Sequence, residues 1–164
     1  MKMGETYWRP LVAVSALIWR AGREVLFLHR VQPPRIWVPP GGRVEAGETP
    51  LSAIQREIRE ETGLEDVAVL APCIVEAGLH DGRDILFIDY VGEYRAGEVR
   101  LSPSEHDAFQ WLDMDRLEKA EVHRSTAAGG ELLYHYRWGQ EEMILSHSPA
   151  QLRFSRRLLQ CLSE

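Results

Sequence analysis

Glu57, Glu60 and Glu61 stand at i, i+3 and i+4, so any helix that carries them turns all three carboxylates to one face. Like charges at that spacing repel, and selection for folding alone gains nothing from them. A divalent cation reverses the sign of the interaction, because magnesium and manganese take hard carboxylate oxygens. The face therefore admits two readings. It is a metal site, or it is a solvated charged stripe with Arg56 and Arg59 as local partners.

The elements that must position these residues can be read around them. Thr49 suits the N-cap of a helix, Pro50 its first turn, and Gly63 the residue that ends it. Leu51, Ile54 and Ile58 predict an apolar stripe beside the acidic face. Ahead of the helix, Trp37-Val38-Pro39-Pro40-Gly41-Gly42 is rigid and then permissive, which lets backbone carbonyls approach a ligand. Glu48 lies between this loop and the helix.

Gly42, Glu48, Arg56, Glu57, Ile58, Glu60, Glu61, Gly63 and Leu64 together resemble the Nudix (MutT-like) box at every specified position, over residues 42–64. The resemblance implies an α/β/α sandwich with a mixed sheet, of α/β or α+β class, and a loop–helix–loop catalytic motif. It implies a pyrophosphohydrolase that cleaves a diphosphate linkage by water attack at phosphorus. The substrate would be a nucleoside triphosphate or another nucleoside-diphosphate-linked small molecule, and the cofactor Mg2+ or Mn2+. Divalent ions neutralise phosphate oxygens and acidify water, which such chemistry needs. The same resemblance makes Glu57, Glu60, Glu61 and the carbonyl of Gly41 metal ligands, and pairs Arg56 with Glu48 to hold the loop against the helix. The base that deprotonates water is a box glutamate or Glu105, which stands six residues ahead of Trp111, as in many Nudix enzymes. His106 beside it is read as a supporting donor or a surface residue.

Two subfamilies share further residues. Glu105-His106-Asp107-Ala108-Phe109-Gln110-Trp111-Leu112 and the Trp37 to Pro40 entry resemble the asymmetrical diadenosine tetraphosphate hydrolases, and similar runs occur in dihydroneopterin triphosphate pyrophosphatases. Where the former carry lysine, this chain has Gly41. A dinucleoside polyphosphate hydrolase is thus an alternative to the nucleoside triphosphate reading. A non-catalytic nucleotide sensor is another, although every box carboxylate is in place. Trp37, Trp8 and Tyr90 are candidates for stacking a base, and Arg35 and Arg43 flank the box within reach of a phosphate. A P-loop phosphotransferase is excluded, since Gly-x4-Gly-Lys-(Ser/Thr) is missing from the sequence.

The rest of the chain bounds these readings. Its 164 residues suit a single domain over 1–164, and a net charge of −6 argues against nucleic-acid polymers as partners. All basic residues except Lys2 and Lys119 are arginine, a bias read as genome composition ahead of phosphate recognition. Cys73 and Cys161 lack metal or CxxC spacing and are expected as buried free thiols. The apolar run 11–19, with Lys2 and Arg9 before it, is too short to span a bilayer and too β-branched for a leader, so a cytoplasmic protein without membrane partners is expected.

Strands are predicted at 11–19, 25–31, 67–75, 85–91 and 109–112, with hairpin turns at Ala21-Gly22 and around Asp81-Gly82. Helices are predicted at 113–121 and, from the capping box Ser148-Pro149-Ala150-Gln151, at 149–162. Residues 131–138 fit strand or helix, and 122–148 could cover the site or form a homodimer contact.

Overall fold

The computed structural model describes residues 4 and 6–163, so Lys2 lies outside the described residues. The first two apolar runs form β1 (Leu11–Arg20) and β2 (Glu24–Arg30), and two short strands, β3 (Trp37–Val38) and β4 (Gly41–Arg43), lie in the loop that enters α1 (Pro50–Thr62). A long hairpin follows, β5 (Asp66–His80) and β6 (Arg83–Ala96), turning at Asp81 and Gly82. Then come β7 (His106–Asp113), α2 (Met114–Glu118), β8 (Glu121–Thr126), β9 (Leu132–Trp138), β10 (Glu141–Leu145) and α3 (Pro149–Leu162).

The strands run in the order β5-β6-β1-β2-β3-β10-β9-β8, with β4 beside β1 and β7 beside β2. β1 pairs parallel with β6 and antiparallel with β2 and β4, which makes the sheet mixed, as expected. Side chains of β1 alternate between two cores. Leu17 and Trp19 join Met114, Leu117, Leu152 and Leu159 of α2 and α3, while Val14, Ala16 and Ile18 join Ala53, Ile54 and Ile58 of α1. Helices thus cover both faces, and the α/β/α sandwich follows from this alternation. Trp19 reaches α3 with its polar end as well, donating from Nε1 to Ser155 Oγ at 3.2 Å.

Several expectations need correction. Leu51 is 44% exposed; Ala53 takes its place beside Ile54 and Ile58 on the buried side of α1. The helix expected over 113–121 is the five-residue α2. Asp113 caps it as expected, but from Glu121 the chain gains more by pairing with β9. Residues 131–138 contain a strand, and most of 122–148 is the antiparallel meander β8-β9-β10. Both cysteines are free, yet Cys161 is exposed and Cys73 only half-buried. Tyr90 is buried in the α1-side core, which removes it as a base-stacking ring. No helix among the described residues is long and apolar enough to cross a membrane.

Candidate active site

The box helix is built as its local chemistry requires. Thr49 Oγ1 accepts from the Ser52 backbone N–H at 3.1 Å, and Ser52 Oγ in turn accepts from the Thr49 N–H at 3.0 Å. This reciprocal cap and Pro50 start the helix, and Gly63 ends it at φ 68°. β4 lies antiparallel to β1, with Gly41 opposite Ser15 and Gly42 opposite Val14. A Cβ at Gly41 would collide with the Val14 carbonyl oxygen and meet the Ser15 Cα at 2.9 Å, both backbone atoms, so only glycine lets β4 lie this close to β1.

Arg56 ties loop and helix together. Its Nε and Nη2 donate to the two oxygens of Glu48 at 2.7 and 2.9 Å, and Nη2 also reaches the Arg43 carbonyl at 3.2 Å. Nη1 donates to Glu57 at 2.8 Å and to Glu60 at 3.1 Å. The bidentate hydrogen bond from Arg56, helped by the Glu45 N–H, holds the Glu48 carboxyl down at about 2. The internal ion pair implied by the box is therefore formed.

The three helical carboxylates part company in their surroundings. Glu60 is mostly exposed and rests on Arg56. Glu57 and Glu61 are buried near each other. Burial raises the Glu57 carboxyl, with Arg56 opposing. Burial first, then the charges of Glu57 and Glu105, push Glu61 up to about 9 against a hydrogen bond from the Gly41 N–H at 3.0 Å. Glu105, just ahead of β7, and His106, its first residue, bring donor atoms to Glu61, all within 4.8 Å of one another. His106 is buried, which rules out the surface reading, and its ring is lowered by burial and then by Arg30. The buried Glu61 carboxyl, the exposed Glu105 carboxylate and the buried His106 imidazole together form a donor set that a divalent cation would satisfy.

These groups open on a cleft of about 560 Å³ lined by Gly41, Arg43, Glu61 and Glu105 from the box side and by Phe87 and Tyr134 from the sheet. Arg43 is thus brought to the cleft. Arg35 pairs with Asp107 at 3.2 Å and Trp37 packs against the His29 ring at 5.0 Å, and neither is among the lining residues. Trp8 is exposed and donates to Asp84 at 3.0 Å, also away from the lining.

The family model described as the NUDIX domain matches residues 9–130, well over half of the chain. The chain belongs to the Nudix family. Among its relatives is an m7GpppN-mRNA hydrolase of Xenopus laevis, 32% identical over 123 residues, which are 63% of this chain and 42% of that protein. An ADP-ribose pyrophosphatase of Methanocaldococcus jannaschii is 29% identical over 121 residues, 73% of this chain and 71% of that one. The crystal structure of a C. elegans Ap4A hydrolase binary complex superposes with a TM-score of 0.59 at 28% identity, covering 64% of this chain and 81% of that one. The chain spans less than half the length of some curated relatives, 42% of the frog protein and 44% of one from Mycobacterium tuberculosis.

Part of the cleft of this Nudix chain lies beyond the matched segment. Tyr134, Ser146, His147 and Gln151 line it from residues after 130. There His147 Nε2 meets Asp89 Oδ2 at 2.7 Å, Ser146 Oγ meets His147 Nδ1 at 2.7 Å, and Ser15 Oγ donates to Asp89 Oδ1. Burial works against the Asp89 carboxylate, but His147 and Ser15 hold its pKa below the ordinary value. No spacing in the sequence announces this cluster, because Asp89 and His147 are 58 residues apart and meet only through the sheet.

Proposed function

We propose that this chain is a divalent-metal-dependent pyrophosphohydrolase acting on a small nucleoside-diphosphate-linked molecule, with residues 1–164 working as one domain. The observation that carries the reading is the gathering of Glu61, Glu105 and His106 in the lining of a cleft large enough for a nucleotide-sized ligand. Glu57, Glu60, Glu61 and the Gly41 carbonyl would hold the metal, Mg2+ or Mn2+. When bound, the ion supplies charge neutralisation at the diphosphate oxygens and lowers the pKa of water. Glu105, with an oxygen within 4.8 Å of one of Glu61, would take a proton from the attacking water. Glu48 and Arg56 keep the loop on the helix, and Arg43 faces the cleft to receive a phosphate. Phe87 and Tyr134 offer flat apolar surface for a base.

The similarity to the C. elegans Ap4A hydrolase supports a second reading, a dinucleoside polyphosphate substrate. A panel of nucleoside triphosphates, nucleoside diphosphate sugars and dinucleoside polyphosphates, assayed with Mg2+ and with Mn2+ and with products identified, separates the two. Release of pyrophosphate with a mononucleotide, or of a mononucleotide with a sugar phosphate, supports the first, and asymmetric cleavage of a dinucleoside chain into two unequal mononucleotides the second. A folded protein that binds members of the panel and turns over none would overturn both in favour of a sensor.

A further inference from the structure

His106 is the one member of the cluster that the hydrolytic reading leaves without a task. It is only 6% exposed, and its Nδ1 is, among the described residues, the one buried side-chain nitrogen or oxygen with no hydrogen-bond partner. Buried polar atoms are nearly always paired, so an unpaired one marks a missing partner. Two other carboxylates of this region are already paired. Asp107 holds His29 at 2.6 Å and Arg35 at 3.2 Å, and Glu131 faces Arg30 at 3.2 Å. Glu61 and Glu105 also come close, and one nitrogen of the ring joins their carboxylate oxygens. One donor atom from each of the three residues lies within 4.8 Å of the others, and they form the one such group found among the described residues. Donors at about 2.0–2.3 Å from a common cation lie roughly 3–4.6 Å apart, so the group closes around an ion with little movement.

We propose that His106 is a nitrogen ligand, and that Glu61, Glu105 and His106 form a mixed nitrogen–oxygen position for a first-row transition dication. Imidazole binds Mn2+, Co2+ and their neighbours, whereas Mg2+ takes oxygen ligands and keeps its waters. The consequence is a site that selects manganese over magnesium where an all-carboxylate set would not. The proposal rests on the hydrolase reading in sharing a cation at Glu61, and with Glu105 on that ion the proton of water passes to a box glutamate.

The test is pulsed EPR of Mn2+ bound to the full chain, with natural-abundance and then with 15N-histidine protein. Wild type should show 14N modulation that converts to 15N lines on labelling and disappears in His106→Gln. In a competition titration the same variant should lose about tenfold or more in Mn2+ affinity, with Mg2+ affinity changed less than about threefold. Bound Mn2+ without nitrogen modulation in wild type overturns the proposal, as does modulation that survives His106→Gln. If His106→Gln fails to fold, conversion to 15N lines in the wild type still assigns the ligand to a histidine, and His106 is the histidine in the group. Turnover of the substrate panel without nitrogen coupling removes the histidine ligand and leaves the hydrolase. Failure to bind any divalent ion removes both.

Discussion

Two polar clusters face the same cleft, and they are built on opposite principles. In one, Glu57, Glu61 and Glu105 crowd together beside His106, and burial pushes Glu61 up to about 9. In the other, Asp89 and His147 are as deeply buried as Glu61, yet their polar side-chain atoms meet Ser15, Ser146 and each other, and Asp89 is held below its ordinary value. Burial alone therefore does not mark a site. The first cluster is short of positive charge and stays so until something enters from outside; the second is complete within the chain. The proposed chemistry draws on the first, and the second is expected to hold the shape of the cleft.

The largest effects should separate the two. Glu61→Gln and Glu60→Gln should each lower kcat by at least about a hundredfold with unchanged circular dichroism. Saturating Mn2+ at a hundred times its Kd should raise wild-type stability by about 2.7 kcal/mol, and Glu61→Gln should abolish that rise, as thermal melts with and without metal will read. Asp89→Ala should do the reverse. It strands His147 in the interior and costs about 3 kcal/mol in urea unfolding, while the metal-induced rise persists. If Asp89→Ala instead abolishes metal binding at intact stability, the contrast is wrong.

Smaller changes sharpen the boundary between the clusters. Arg56→Lys keeps the charge but loses the fork that grips Glu48, and should lower activity about tenfold while melting two-state. Reaction rates under saturating metal will show it. The smallest effect is on acid stability. The folded pKa of Asp89 lies below the ordinary value of 3.8, so its contribution is present above that pH and is lost as pH falls through the folded value. Glu48 acts in the same direction between 4.5 and about 2. Asp89→Asn should flatten the acid limb of a stability–pH curve; an unaltered limb would mean that Asp89 does not carry it.

What could be read from sequence follows the range of the contacts. The capped helix, its glycine end and the Arg56–Glu48 pair lie inside 23 residues, so spacing alone carries them. Hairpin turns announce themselves through Asp81 and Gly82 for the same reason. The burial of His106 and the company of Asp89 and His147 depend on strands brought together from distant parts of the chain, and residue spacing holds no trace of that. Leu51 misleads because an apolar residue in a first helical turn can face solvent when Ala53 fills the core contact. The short α2 misleads because helix propensity over 113–121 loses to pairing between Glu121 and Arg137.

One guanidinium, that of Arg56, already spans Glu48, Glu57, Glu60 and the Arg43 carbonyl in the protein by itself. It serves as a standing internal counter-ion for the box. The scaffold of the box is consequently assembled on folding, and under the proposed metal dependence acquisition of the ion would be a late and reversible event. Stripping and reloading the protein should then proceed without refolding, and a cell short of the ion would hold a reserve of intact, silent molecules.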